Sequence, residues 1–169
     1  MNGDLEIRRF EVGDDGENLN VTIEIHNHSA RTLHVYREVR GVRYDENTNT
    51  VKLLLTDRHF DHSFPTFVTP QPALVPVNPG ESEILKLRVP RVITQIGPER
   101  TGQPGPTLRE SHIHQSESAE AEISWSDTPY YREPGERRNK VEQLRRWERG
   151  ALHVRLNRRT GELTRPAGS

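Results

Sequence analysis

The residue type best suited to chemistry in this chain is histidine, which occurs eight times in 169 residues. Two pairs have the spacing His-x-His, namely His26 with His28 and His112 with His114. In an extended strand this spacing places both rings on one face, about 7 Å apart, which suits two ligands of one metal ion. His34 belongs to the next predicted strand and reaches the first pair if the two strands are neighbours. The pattern predicts a candidate metal site of His26, His28 and His34, for which imidazole favours zinc, copper or nickel.

The alternative is that these histidines are ordinary surface residues at strand ends and that the protein takes no cofactor. A chain in which only 31% of the residues are hydrophobic contains His-x-His by chance. His112 and His114 are expected to be the poorer ligands, because the segment 97–118 around them is rich in glycine and proline and reads as a long mobile loop.

Aromatic and arginine side chains concentrate in the last third of the chain, which holds both tryptophans and two of the four tyrosines. Tryptophan, tyrosine and arginine are the residues that most often anchor protein interfaces. One interpretation is a protein-binding surface made of Tyr130, Tyr131, Arg145, Arg146, Trp147 and Arg149. The other interpretation is that Trp147 docks its own segment onto the rest of the protein through an apolar stripe.

Charge is distributed unevenly although the formal net charge is only −1. Residues 136–159 carry nine basic and three acidic residues, a net +6, and residues 1–135 carry a net −7. The basic segment either complements its own acidic body or contacts an anionic partner, such as an acidic protein surface. Nucleic acid is an unlikely partner, because the acidic body argues against a broad nucleic-acid footprint.

Several function classes are excluded or disfavoured by missing residue types and motifs. The chain has no cysteine, which excludes disulfides, thiol catalysis and cysteine-based zinc sites. It has no Gly-x-Ser-x-Gly elbow and no glycine-rich phosphate-binding motif, so we expect no enzyme activity. No stretch of about 20 apolar residues and no secretory signal occur, which predicts a cytoplasmic protein away from the membrane. The sequon Asn27-His28-Ser29 is then a chance match.

The elements that must position these side chains are predominantly strands. Apolar and polar residues alternate over 19–26, 119–126 and 152–157, which is typical of half-buried strands. A hairpin is predicted from 32–44 and 50–56 around the turn 45–49, with a change of phase near Gly41 that indicates a bulge or a change of sheet. The single predicted helix is Lys140–Arg149, with Asn139 as its N-cap, followed by a small hairpin that ends near Leu163.

Two segments carry a resemblance to a known superfamily. Residues 77–87, VNPGESEILKL, resemble the Pro-Gly turn and following strand of bacterial immunoglobulin-like and fibronectin-type-III-like domains. Residues 21–29, VTIEIHNHS, look like their second strand. The resemblance covers roughly residues 4–131 and lacks the cysteine pair of true immunoglobulin domains. It implies a fold whose members mostly bind or scaffold, which is an analogy and not evidence of activity.

The sequence therefore predicts a mainly β protein, an antiparallel immunoglobulin-like β-sandwich with one short C-terminal helix. We expect a sandwich domain at residues 1–135, with a mobile loop at 97–118, and a basic helix and hairpin at 136–169. The function expected is a non-catalytic protein-binding or assembly module that contacts another protein or a second copy of itself. The alternative is a small histidine-rich metal-binding or metal-dependent protein.

Overall fold

Strands make up most of the residues that the computed structural model describes, which are 3–57, 73–97, 107–130, 135, 143 and 146–165. In chain order they are β1 (Leu5–Asp14), β2 (Asn18–Asn27), β3 (Leu33–Tyr36), β4 (Gly41–Asp45), β5 (Thr50–Leu55), β6 (Leu74–Val77), β7 (Ser82–Pro90), β8 (Val92–Gly97), β9 (Thr107–His112), β10 (Ser118–Ser126), β11 (Gly150–Asn157) and β12 (Leu163–Thr164). A turn of 3-10 helix, Ile113–Gln115, lies between β9 and β10. The prediction of a mainly β protein is confirmed.

The strands form two larger sheets and one ribbon. The first sheet has the order β1-β2-β7, and both of its strand pairs are antiparallel. The second has seven strands and follows the path β12-β11-β10-β3-β6, with β5 also paired to β10 and β4 paired to β5. Strands β8 and β9 form a separate antiparallel ribbon. The two larger sheets both supply their apolar faces to one core, which buries Ile23 and Ile25 from the first sheet and Leu53 and Ile123 from the second.

Strand β10 organises the second sheet. Along one side it pairs with β11 from Ser118 to Trp125. Along the other side it pairs with β5 in parallel from Ser118 to Ile123, and then with β3 in antiparallel at Trp125 and Ser126. The fold was expected to be an antiparallel sandwich, and β5 with β10 is the parallel pair among the described strand pairs. A parallel pair needs a long crossover connection, and β5 and β10 are separated by more than sixty residues of chain.

Strand β1 carries an irregularity that hides it from a search for alternation. Its register against β2 shifts between Ile7 and Arg9. Leu5 and Phe10 are both buried although their positions differ in parity. A β-bulge inserts one extra residue and exchanges the faces of the strand beyond it, so the ten-residue strand reads as an irregular segment in the sequence.

Asn27 ends β2, and its buried side chain joins the two larger sheets. Its Nδ2 group donates hydrogen bonds to the carbonyl oxygens of Arg31, at 2.7 Å, and Val77, at 2.8 Å. Its Oδ1 atom accepts hydrogen bonds from the backbone N–H and the hydroxyl of Ser29, at 2.8 and 2.7 Å. Because Val77 lies on β6, these bonds close the crossover from the first sheet to the second. Asn27 has 0% exposure, so its amide is not presented as a glycosylation acceptor.

One predicted segment differs in part from the structure. The segment 97–118 was expected to be one long loop, and strand β9 and the 3-10 turn occupy its second half. Strand β9 pairs with β8 and is mostly polar, so it has no apolar alternation to reveal it. The remainder of that segment, 98–106, lies outside the described residues.

The predicted helix Lys140–Arg149 also lies mostly outside the described residues, and within it residues 143, 146 and 147 have helical backbone. The helix therefore stays a prediction. Near Gly41, where a change of phase is predicted, the structure has two separate strands, β3 and β4. They pair with different neighbours in the second sheet. No helix within the described ranges is long and apolar enough to cross a membrane.

Candidate functional site

His26 and His28 lie together at the end of β2, as the spacing predicts. Their ring centroids are 4.5 Å apart in an edge-to-face arrangement. The Nδ1 atom of His26 lies 2.8 Å from the Ser82 hydroxyl, and the Nε2 atom of His28 contacts the carboxylate of Glu6. Desolvation, with the positive charges of Arg8 and His28, lowers the pKa of His26. The hydrogen bond from His28 lowers the pKa of Glu6.

His34 is not brought to this pair. It lies on β3 in the second sheet, opposite Pro76 and Ser126, whereas His26 lies on β2 of the first sheet and His28 directly follows that strand. Desolvation lowers the pKa of His34, and the negative charge of Asp127 acts in the opposite direction. Across the described ranges no group of three or more histidine, aspartate or glutamate side chains is placed to hold a metal ion.

The second histidine pair also makes a ring contact. The rings of His112 and His114 are 5.7 Å apart in an edge-to-face arrangement. The Nδ1 atom of His114 lies 3.2 Å from the carbonyl oxygen of Arg91. This contact places the 3-10 turn against the start of β8.

Trp147 is buried and holds its segment against the second sheet. Its indole makes edge-to-face contacts with Tyr36, at 5.6 Å between ring centroids, and with Tyr130, at 6.5 Å. Its Nε1 group donates a hydrogen bond of 2.7 Å to the carbonyl oxygen of Thr128. Trp147 is only 8% exposed, so its contacts are those of the intramolecular interpretation and not those of an exposed anchor.

The structure describes only some of the residues of the predicted protein-binding surface. Arg146 and Arg149 are exposed, and the backbone N–H of Arg149 donates to the carbonyl oxygen of Trp125 at 2.8 Å. Tyr131 and Arg145 lie outside the described residues, so that part of the predicted surface stays a prediction.

The described part of the basic segment makes contacts with the acidic body. Arg158 Nη1 donates hydrogen bonds to the carbonyl oxygen and the hydroxyl of Ser116, at 2.8 and 2.9 Å. The guanidinium of Arg159 lies 3.6 Å from the carboxylate of Glu117. These contacts attach the β11–β12 hairpin to the turn before β10, which is the intramolecular role considered for the basic segment.

A buried carboxylate cluster that sequence reasoning missed lies beside Trp147. The hydroxyl of Tyr36 donates a 2.9 Å hydrogen bond to Glu148 Oε1 and lies 3.4 Å from Asp57 Oδ2. Glu148 also accepts from the backbone N–H of Asp57, at 2.9 Å, and from the Thr56 hydroxyl, at 3.0 Å. The Ser124 hydroxyl donates to Thr56 Oγ1 at 2.7 Å. No local motif reveals this cluster, because its members come from four distant parts of the chain.

Arg40 supplies positive charge to the same cluster. Its Nε and Nη2 groups donate to the two carboxylate oxygens of Asp57, at 3.1 and 3.3 Å. Its guanidinium also lies over the ring of Tyr36, 5.4 Å from the centroid. Burial, with the negative charges of Glu148 and Asp57, raises the pKa of Tyr36 well above its usual range. The cluster is a satisfied hydrogen-bond network that joins β3, the end of β5 and the segment before β11.

A shallow cleft of about 300 Å³ opens on the outer face of the second sheet. It contains a histidine–carboxylate pair, His153 Nε2 at 3.4 Å from Glu122 Oε1. These two residues are direct cross-strand partners on β11 and β10, and so are Arg155 and Glu120, 4.0 Å apart. Opposite charges across neighbouring strands stabilise the sheet, which accounts for both pairs without a substrate.

The strand edges of the larger sheets are protected in most places. Strand β1 has its bulge and five charged side chains, which discourage pairing with another chain. The edge of β4 is occupied by Gln95, whose side-chain amide accepts from the backbone N–H of Tyr44 at 2.9 Å and donates to its carbonyl oxygen at 3.4 Å. Strand β6 has four residues and contains Pro76, and β12 has two residues.

Strand β7 is the exception among these edges. It is nine residues long and pairs with β2 through nine consecutive residue pairs without a register shift. On its other side no strand of the described chain is paired with it. It carries the charged side chains of Glu83, Lys86 and Arg88 and ends at Pro90, but its unbroken register makes it the most regular template for a further strand among these edges.

The backbone groups available at this edge follow from the ladder. The N–H of Asn27 donates to the carbonyl oxygen of Glu81 at 3.0 Å. The direction of donors alternates along an antiparallel pair, so the odd-numbered residues of β7 bond to β2. The N–H and C=O groups of Ile84, Lys86 and Arg88 therefore face away from β2, toward the open side.

Comparison of the chain with protein-family models, with curated proteins and with solved structures found no match.

Proposed function

We propose that this chain is a non-catalytic protein-binding or assembly module, and that it takes up an extended segment of its partner by strand addition at β7. The observation that carries the proposal is the regular edge of β7, which no strand in the described part of the chain pairs, beside edges that are bulged, short or occupied. Main-chain hydrogen bonds at such an edge supply affinity, and the alternating side chains supply specificity.

The chemistry of the titratable groups supports binding over catalysis. Tyr36, Arg40, Asp57 and Glu148 bond with one another in a buried network, and Glu122 and His153 form a cross-strand pair. Each of these groups has a role in holding strands together. The regular edge of β7 presents backbone groups, which favours a partner strand over a substrate.

The connections between the sheets support the finer assignment to an immunoglobulin-like sandwich. The turn 78–81 carries the chain from β6 in the second sheet to β7 in the first, and Gly80 has the positive φ of 74° that such a turn requires. The chain also crosses from β2 to β3, and so between sheets, at the polar turn after Asn27. Crossings of this kind are typical of sandwiches with Greek-key connections.

A display library of random linear peptides, selected against the whole protein, tests the proposal. Selected peptides are expected to slow amide hydrogen exchange in β7. The variant Ile84→Pro removes an open-side N–H group and is expected to abolish binding. The variant should still fold, because proline is tolerated on edge strands. The matched control Ile84→Ala keeps the N–H group and is expected to retain most of the affinity. Equal binding by the two variants, or protection at another strand, contradicts strand addition at β7.

The alternative function, metal binding by histidine, retains one observation in its favour, the ring contact between His26 and His28. Zinc or copper bound to the folded state raises the melting temperature in proportion to the logarithm of its concentration. A rise that disappears in the double variant His26→Ala/His28→Ala favours the alternative. An unchanged melting temperature favours the binding module.

A further inference from the structure

The side chains of β7 beside its open edge form a simple pattern. Ile84, Lys86 and Arg88 point to solvent, and Leu85 and Leu87 between them point to the core. Ile84 is 48% exposed, which makes it one of the few large apolar side chains at the surface of the described chain. An added strand therefore meets one apolar and two cationic side chains on its outer face.

The closed side of β7 does not neutralise these cations. The cross-strand partners of Lys86 and Arg88 on β2 are Thr22 and Asn20, which are uncharged. Glu24, the acidic residue on the outer face of β2, lies opposite Ile84. Neither cation therefore has an acidic residue directly opposite it on β2, and Glu24 is diagonal to Lys86.

The cations on the opposite edge of the same sheet are paired. On β1, Arg9 donates a 2.8 Å hydrogen bond to Glu11 and lies directly opposite Glu24. Arg8 lies 3.7 Å from Glu6. In the part of the chain that the structure describes, Lys86 and Arg88 form no salt bridge of this kind.

Asp15 has an electrostatic interaction with Arg88, but its carboxylate forms hydrogen bonds with other residues. Its carboxylate accepts hydrogen bonds from the backbone N–H groups of Asn18 and Glu17 and from the side chain of Asn20. These bonds lower the pKa of Asp15 to about 2 and fix the carboxylate at the turn between β1 and β2. None of these hydrogen bonds involves Arg88.

We propose that the segment received by β7 is an acidic–aliphatic strand of a partner protein. This inference rests on the proposed function. In antiparallel addition the segment places one acidic residue opposite Arg88, a second two residues later opposite Lys86, and an aliphatic residue opposite Ile84. The residues between them continue the apolar side formed by Leu85 and Leu87. Opposite charges on directly paired residues stabilise neighbouring strands.

A second copy of this chain fits the edge poorly. Full-length antiparallel pairing of two β7 strands places Lys86 opposite Lys86 of the other copy, and Ile84 opposite Arg88. Like charges directly opposite one another destabilise a sheet. The charge pattern thus favours a different protein as the source of the strand.

The test uses the whole protein and three capped, labelled peptides of one length, whose central sequences are Glu-Val-Glu-Val-Val, Gln-Val-Gln-Val-Val and Lys-Val-Lys-Val-Val. Binding is measured by fluorescence anisotropy, and the site is mapped by hydrogen exchange at β7. The acidic peptide is expected to bind about fivefold or more tightly than the glutamine peptide, with the lysine peptide weakest. The variant Lys86→Glu/Arg88→Glu is expected to reverse this order, and Arg8→Glu/Arg9→Glu on β1 is expected to leave it unchanged. Circular dichroism and thermal melting establish that the variants fold, and Lys86→Gln/Arg88→Gln replaces any reversed variant that does not.

The outcomes separate this inference from the proposed function. Protection of β7 with equal affinity for all three peptides overturns the acidic–aliphatic preference and leaves strand addition standing. Protection of β7 by none of the peptides, including those selected from the random library, overturns both. A dimer of the unliganded protein that Lys86→Glu/Arg88→Glu alters identifies a second copy as the occupant and overturns the inference.

Discussion

The hydroxyl of Tyr36 donates a 2.9 Å hydrogen bond to the carboxylate of Glu148, a residue 112 positions further along the chain. The bond joins β3 to the segment that precedes β11, and both residues are buried. A buried carboxylate that loses a donor retains the full cost of its desolvation. The stability of the second sheet should therefore depend on this one hydroxyl.

The substitution Tyr36→Phe is expected to lower the free energy of unfolding by about 1–3 kcal/mol, because it leaves the carboxylates of Glu148 and Asp57 without that donor. Denaturation in urea measures the change. The matched control is Tyr44→Phe, which removes a hydroxyl bonded to Asn49 at the partly exposed β4–β5 turn and should cost less than about 1 kcal/mol. Equal losses in the two variants would contradict a special role for the buried cluster.

The substitution Asn27→Ala is expected to destabilise the protein by more than about 2 kcal/mol. It removes four hydrogen bonds in a site with 0% exposure and leaves the carbonyl oxygen of Val77 unsatisfied. Asn20→Ala, which removes an exposed amide bonded to Asp15, is the control and should have a small effect. Thermal melting of the two variants checks the difference. If Asn27→Ala loses no more stability than Asn20→Ala, the Asn27 side chain does not hold the two sheets together.

Acid should weaken the turn between β1 and β2 within a definite pH window. Hydrogen bonds from Asn18, Asn20 and Glu17 lower the pKa of Asp15 from 3.8 to about 2 in the folded protein. A carboxyl with a depressed pKa stabilises the fold above its unfolded value, and this contribution is lost as the pH falls through the folded value. The stability difference between the wild type and Asp15→Asn should therefore shrink between about pH 4 and pH 2. Melting temperatures across that range measure it, and a difference independent of pH would refute the assignment.

The substitution Gln95→Ala is expected to release the β8–β9 ribbon from the edge of β4. The Gln95 amide bonds to both backbone groups of Tyr44 and donates to the Ser111 hydroxyl at 2.9 Å. Amide exchange should speed up at Tyr44 and through β8, because the side-chain bonds that hold the ribbon are lost. Thr94→Ala, on the other face of the ribbon, is the control. Unchanged exchange at Tyr44 would show that the ribbon is held by other contacts.

Alternation alone predicted the strands that lie regularly over the core, of which β2 is the clearest. Leu19, Val21, Ile23 and Ile25 are each at most 1% exposed, and their neighbours are polar. Strand β1 also buries apolar residues, but its bulge near Arg8 breaks the period of two. Strand β9 could not be predicted because pairing with β8 holds it, and cross-strand pairing leaves little mark on a polar sequence.

The candidate sites differ in how far apart along the sequence their interacting residues lie. The contact between His26 and His28 follows from local spacing and was predictable. The position of His34 depends on which strands become neighbours, and the chain crosses to another sheet between His28 and His34. The cluster of Tyr36, Asp57 and Glu148 depends on pairings across the whole fold, which spacing within a sequence does not encode.

The shared edge of β10 has a consequence for how the protein is made. Strands β3 and β5 emerge early during synthesis, yet each pairs with a stretch of β10, and β10 emerges last of the three. Contacts between such distant segments form slowly, since a long loop must close first. A nascent chain that stops short of Ser118 can pair β3 with β6 and β4 with β5, but it lacks β10, which joins these two pairs. The second sheet can therefore be completed only after β10 has been synthesised.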